Sequence, residues 1–509
     1  MESFSKRIAL CYWCLAASIF AAILIITSTV QAAVWVSGSN LIDQAGIYGT
    51  KGVPEPNNTP GARGWAVSWI DSSGNLWLFG GYSSYSSGND TYLNDLWKYE
   101  PSSNLWTWVS GSNLVNQAGI YIPGARCRAV SWIDNSGNLW LFGGDGFDTW
   151  GARGCLNDLW KYDPSSGLWT LVSGSNIRYQ SGSHGDKGIP DPHNVPGARI
   201  ESVSWIDSSG NLWLFGGEAW NYSLDHTPMN DLWKYEPSSG LWTWVSGAYD
   251  GPQRGLYGTK GVPDSDNVPG ARQGAISWID SSGNLWLFGG RGYDISGNCG
   301  ELNDLWKYEP SSGLWTWVSG SDIANEGGSY GVKGIAGANN VPGARNGAIS
   351  WKDSTGNLWL FGGHSQDNPG YLNDLWKYEP SSGLWTWVSG SNVINQTGVY
   401  GTKGVPDPNN IPGARIGAIS WIDSSGNLWL FGGNESRLAL NLNDLWKFTC
   451  EHSVGDLNGD CKVDFKDFTI FAFGWLENGL ETDLSGDGKV DLADLSIFCS
   501  HWLEKGRIE

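Results

Sequence analysis

Between residues 33 and 449 apolar positions come in short bursts, each cut off by Gly, Pro, Ser or Asn before three helical turns could form. In the first repeat the bursts centre on residues 66–70, 76–79, 95–99 and 106–109, which predicts four short strands. Asp71-Ser72-Ser73-Gly74-Asn75 joins the first pair, and Glu100-Pro101-Ser102-Ser103-Asn104 joins the second; both have the length and residues of hairpin turns. Large residues stand side by side, as in Leu76-Trp77-Leu78-Phe79, so both faces of each sheet are expected to be buried. The pattern then recurs. P-G-A-R opens at Pro60, Pro123, Pro196, Pro269, Pro342 and Pro412, in steps of 63, 73, 73, 73 and 70 residues. A period of this kind points to stacked repeats, each packing on its neighbours.

Four antiparallel strands repeated six times predict an all-β fold, a six-bladed propeller over residues 33–449. The Trp at matching positions are expected to form the core between blades. The sixth repeat stops at Leu445-Trp446-Lys447-Phe448 and lacks its last strand. Val34-Trp35-Val36-Ser37 copies Thr107-Trp108-Val109-Ser110, so the N-terminal strand is expected to complete the last blade and close the ring. The Gly-Gly pairs (Gly80-Gly81 to Gly432-Gly433) and the L-N-D-L-W-K-Y stretch resemble the kelch repeat over about four fifths of the chain. The spacing exceeds the usual kelch length of about 50, and the surplus lies in the linker before each P-G-A-R.

Uniform turns join the first to the second and the third to the fourth strand, whereas the second-to-third connections vary. Variable loops on a fixed scaffold are where recognition concentrates. These loops span 82–92, 145–155, 218–229, 291–301, 364–371 and 434–441, and they carry Tyr82, Tyr85, Phe147, Trp150, Trp220, Tyr222 and Tyr293 as candidate ligand-binding residues. Such rings suit stacking on sugars or protein contacts, and packing against the adjacent linker is the competing reading. The linker into the second repeat is about ten residues short, which predicts an opening there. Cys127 and Cys155 share that repeat and are candidates to pair. The six P-G-A-R arginines (Arg63, Arg126, Arg199, Arg272, Arg345 and Arg415) either ring a channel mouth and attract an anion or bond to neighbouring carbonyls.

The pattern changes after Cys450. Asp456, Asn458, Asp460, Lys462, Asp464 and Asp467 occupy positions 1, 3, 5, 7, 9 and 12 of one loop, and Asp483, Ser485, Asp487, Lys489, Asp491 and Asp494 repeat the set. A hard cation needs several oxygens around one point, and this spacing wraps the chain to supply them, position 7 giving a carbonyl. Each loop leads into a predicted short helix, 468–476 and 495–503. From Cys450 onward 13 acidic residues face 5 basic ones, so without a cation the segment repels itself. The duplicated loop-helix over 450–509 resembles a type I dockerin module. That resemblance implies two bound Ca2+ ions and docking to a cohesin-like or other cell-surface scaffold protein. Cys461 stands where the loop usually has Gly, and Phe465-Lys466 differs from Leu492-Ala493, which puts a symmetric dual binding mode in doubt.

Residues 1–32 read as a signal peptide, with Lys6-Arg7, an apolar run and cleavage after Ala32, so the body is expected to be secreted or held at the cell surface. An uncleaved membrane anchor is the rival reading. A formal net charge of −20 disfavours nucleic acid and anionic membranes as partners. The mature part keeps six Cys and no CxxC pair, which permits disulfides and argues against structural zinc. Six His without metal spacing, and Asp residues repeated in every unit, give no catalytic set. The expected function is therefore a non-catalytic binding protein for a protein or carbohydrate ligand. A carbohydrate-active oxidase or epimerase and a structural surface-layer part are the alternatives.

Overall fold

The computed structural model describes residues 32–449 apart from 84–90, 221–225, 367–368, 408, 424–425 and 436–439, and beyond 449 only 468, 471–472, 484, 490 and 492–504. Residues 1–31 of the predicted signal segment and most of both predicted calcium loops lie outside the described residues. The chain divides into two compact units, one of which is the repeat array Ala32–Gly331 with Gly337–Thr449.

The array is all-β and built of antiparallel sheets. In the first repeat Val67–Ile70, Leu76–Ser83, Thr91–Glu100 and Leu105–Ser110 lie in that order across one sheet. The D-S-S-G-N turn explains its own tightness. Asp71 Oδ1 accepts the backbone N–H of Ser73 and Asn75 at 3.0 Å, while Oδ2 accepts Trp77 Nε1 at 2.9 Å. The last repeat borrows its outer strand: Ala32–Ser37 pairs antiparallel with Asn441–Thr449, placing Trp35 opposite Trp446.

Each core cluster is shared by two consecutive repeats, and this is where the tryptophans sit. Trp97, Tyr99 and Trp106 of the first pack with Trp421, Trp429 and Phe431 of the sixth. The inner strands touch in sequence order, and the sixth touches the first. Trp69 Nε1 donates to Trp140 O at 3.1 Å, and the corresponding bond from Trp421 reaches Trp77 O at 3.3 Å.

In the second and fourth repeats the second-to-third connection corrects the loop expectation, because much of it is strand. Leu139–Phe147 and Arg153–Asp163 extend one hairpin past the expected boundaries, as do Leu285–Tyr293 and Cys299–Glu309. The register shifts at the Gly-Gly pair, between Phe142 and Gly144, and pairing resumes beyond it. The pair is glycine for a second reason. A Cβ on Gly143 would come within 2.9 Å of the carbonyl oxygen of Arg199 in the next repeat.

The P-G-A-R arginines are structural. Arg63 is 1 % exposed and grips Asp95 with both terminal nitrogens, at 2.7 and 2.8 Å; Nη1 also donates to Gly80 O and Nε to Gly61 O. The pair recurs as Arg126–Asp158, Arg199–Asp231, Arg272–Asp304, Arg345–Asp374 and Arg415–Asp444. With their donors taken, these guanidinium groups attract no anion.

Cys127 and Cys155 are both buried free thiols, which corrects the pairing expectation. Cys127 lies opposite Asp145, and Asp145 lies opposite Cys155. A whole strand separates the two cysteines, about twice the inter-strand spacing of roughly 4.8 Å, beyond what a disulfide spans.

Candidate functional site

Two residues after each P-G-A-R arginine the backbone turns left-handed. Three repeats use glycine there: Gly274 (φ 62°), Gly347 (61°) and Gly417 (63°). The first three place Trp65 (59°), Arg128 (59°) and Glu201 (53°) in the same conformation. The six positions are joined by backbone hydrogen bonds, each N–H donating to the residue in the preceding repeat, and Trp65 N–H donates to Gly417 O at 2.7 Å. A bulky residue held at positive φ costs about 1–2 kcal/mol, and such strain gathers at functional sites.

These side chains form one chain of contacts. Arg128 lies 5.1 Å over the Trp65 ring, and its Nε is 3.1 Å from Glu201 Oε1. Burial raises the Glu201 carboxyl above its ordinary pKa, with Arg128 opposing the shift. The Trp65 indole covers the glycines across from it: a Cβ on Gly417 would meet the ring at 2.6 Å, and one on Gly347 at 2.8 Å.

Beside them opens a cavity of about 390 Å³ lined by Trp65, Tyr82, Tyr92, Cys127, Arg128, Asp145, Arg153, Tyr371, Ile416 and Asn434. That is within the usual size of small-ligand sites. Its polar wall is an organised network. Tyr92 Oη donates to Asp145 Oδ2 at 2.7 Å, Arg153 Nη2 is 2.8 Å from the same oxygen, and the Arg153 guanidinium lies 4.7 Å over the Tyr92 ring. Burial pushes the Tyr92 hydroxyl and the Cys127 thiol upward, so both stay protonated at neutral pH and Cys127 is no nucleophile. A second cavity of about 390 Å³ is lined by the Ser-Trp-Ile ends of the inner strands, nearly the same in every repeat, with Lys352 the exception.

The structure brings together part of the predicted aromatic set. Tyr82 and Phe147 both pack edge-on against Tyr92, at 5.8 and 5.9 Å. Trp220 stands apart, stacked between Tyr179 and His226. Tyr293 is half-buried in its own hairpin, Trp150 is 78 % exposed, and neither lines the cavity. Tyr85 and Tyr222 lie outside the described residues. Trp65, Arg128, Glu201, Arg153 and Asp145 were missed, although setting the six repeats side by side exposes the first three at once. Near the cavity, His364 Nδ1 lies 2.5 Å from Glu301 Oε1, while Glu301 Oε2 is buried without a hydrogen bond.

In the tail, the predicted second helix runs Leu492–Glu504. Asp494, the last position of the second loop, sits fully buried in its first turn. A carboxylate there is what a calcium loop needs at its closing position. Phe498 stacks on Phe471 at 5.1 Å. Asp456, Asn458, Asp460, Lys462, Asp464, Asp467, Asp483, Ser485, Asp487, Lys489 and Asp491 lie outside the described residues.

No protein-family model matches this chain, and no curated protein matches it.

Proposed function

We propose that this protein is a secreted or cell-surface binding protein without catalytic activity. In this reading the array is a closed six-bladed kelch-type β-propeller, and the dockerin-like tail holds two Ca2+ ions and docks to a cohesin-like or other scaffold protein. The N-terminal strand paired with the last repeat, and the hydrogen bonds running from each repeat to the next and back to the first, support the closed ring. One observation carries the binding reading: three consecutive repeats replace a needed glycine by Trp65, Arg128 and Glu201 at the edge of a cavity. Backbone strain of this kind gathers at functional sites. Aromatic faces beside fixed guanidinium and carboxylate groups favour a carbohydrate over a flat protein surface.

Arrayed glycans probed with the full chain test this. Retention by the native chain, reduced about tenfold by Trp65→Gly, is expected. Retention that the variant leaves unchanged, or none on any glycan, overturns the carbohydrate reading. For the tail, a chelator is expected to lower the melting temperature of the segment's own transition, and indifference to chelator overturns the calcium loops.

A second reading, an enzyme acting on the same class of ligand, rests on the His364–Glu301 pair, whose free buried oxygen suits proton transfer. Turnover of a retained glycan that His364→Gln abolishes would favour it.

A further inference from the structure

The linkers before P-G-A-R do more than connect. In the first repeat the linker runs as an extended strap along the outer strand. Gly52 N–H donates to Trp108 O at 2.8 Å, Glu55 bridges to Trp106, and Asn58 Nδ2 donates to Trp106 O at 3.1 Å. Lys51 caps Gly111 O and lies 4.3 Å over the Trp108 ring. The third, fourth and sixth repeats do the same: Gly188, Gly261 and Gly404 donate to Trp244, Trp317 and Trp35, and Lys187, Lys260 and Lys403 cover those rings.

The second repeat has no strap. Its linker has 11 residues (112–122), against 21 (248–268) in the fourth. Ile122 still closes the core beneath, packing in the cluster that holds Trp160 and Trp169. The outer strand Leu168–Ser173 is left bare: among the described residues no strap bond reaches Trp169 or Leu171, the counterparts of Trp106 and Trp108. Its side chains have changed with it. Leu171 stands where the first, third, fourth and fifth repeats have Trp, so the ring and the lysine that covers it are absent together, and Leu168 is 65 % exposed and Leu171 37 %. Natural edge strands are normally blunted by Lys, Pro or a cover; this one carries neither residue.

We propose that the edge Leu168–Ser173 accepts, in trans, an extended peptide strand from another polypeptide, seated where the other repeats seat their own strap. The straps of the first, third, fourth and sixth repeats define the occupant: a flat, Gly-containing segment with a backbone N–H aimed at Leu171 O and an Asn side-chain amide aimed at Trp169 O. An apolar side chain replaces the lysine, because Leu168 and Leu171 offer a greasy surface and no indole face. Main-chain pairing supplies affinity and these two contacts supply selectivity.

The test uses the full chain and a labelled peptide of residues 258–269 with Lys260 replaced by Leu, followed by fluorescence anisotropy. Saturable binding is expected. Leu171→Lys places on the edge the charge that blunts natural edge strands and removes the apolar contact, and is expected to weaken binding at least about tenfold. Exchanging residues 112–122 for residues 248–268 restores the strap in cis and is expected to abolish capture, which keeps the test valid if Leu171→Lys fails to fold. Absence of saturation up to about 1 mM peptide, or capture that the restored strap leaves intact, overturns the proposal. So does a dimer without peptide that either change dissolves, because a second copy would then cover the edge.

Discussion

The array holds two kinds of arginine–carboxylate pair, and they teach opposite lessons. Arg199 and Asp231 are 1 % and 0 % exposed, and an equivalent pair stands in each of the six repeats. Arg128 and Glu201 are 39 % and 11 % exposed, occur once, and sit on backbone that three other repeats give to glycine. What every repeat carries is what any repeat needs in order to fold. What a few carry, against local backbone preference, is what the proposed ligand site rests on.

Breaking a repeated pair has the largest expected effect. Asp231→Ala leaves Arg199 buried and unpaired, and the array is expected to lose about 3–5 kcal/mol in denaturant unfolding. The pair also sets an acid limb. Burial acts to raise the Asp231 pKa, but Arg199, His184 and Trp233 outweigh it and hold the carboxyl well below the usual 3.8. A depressed folded pKa stabilises fully above the unfolded value and is lost as pH falls through 3.8 toward the folded one. The variant is therefore expected to show a shallower loss of stability in acid than the native chain.

A smaller effect separates the glycine positions from the substituted ones. Gly417→Ala puts a Cβ at φ 63° and 2.6 Å from the Trp65 ring, and is expected to cost about 1–3 kcal/mol. In a Trp65→Gly background the clash is gone and only the left-handed cost of about 1 kcal/mol remains. A double-mutant cycle reads the difference, and additivity of the two changes would show that Trp65 does not lie over Gly417.

Strands and turns were legible because each rests on local chemistry: D-S-S-G-N closes its own turn, and the W-V-S-G copy at Trp35 matches a strand missing from the sixth repeat. The hairpin extensions were not, because the Gly-Gly pair reads as a stop and acts as a bulge after which pairing resumes. The role of Arg63 depends on Asp95, 32 residues away, which no local pattern reports. Cys127 and Cys155 shared a repeat but not adjacent strands. Aromatic content led to Tyr82 and Phe147 but also to Trp220 and Trp150, since a ring's type does not say which face of a hairpin it takes. Trp65, Arg128 and Glu201 escaped because each stands in an ordinary-looking run ahead of S-W.

The smallest effect sharpens the comparison most, because its sign runs against expectation for a buried residue. Glu201→Gly removes a carboxyl whose burial raises its pKa, and relieves a left-handed glutamate at φ 53°. Glycine gives back about 0.5–1 kcal/mol through the freer unfolded chain, while strain relief contributes about 1–2 kcal/mol. Arg128 keeps its contact over the Trp65 ring and is 39 % exposed, so losing Glu201 costs it less than losing Asp231 costs Arg199. The variant is expected to be more stable by about 0.5–1 kcal/mol while losing retention of the ligand. The pH dependence carries a second sign. A raised folded pKa means the native chain loses stability as pH climbs through the ordinary carboxyl value of 4.5, whereas the variant does not. Its advantage should therefore widen from acid toward neutral pH in paired denaturant titrations. A variant that is less stable at every pH would return Glu201 to the same class as Asp231, a part of the scaffold.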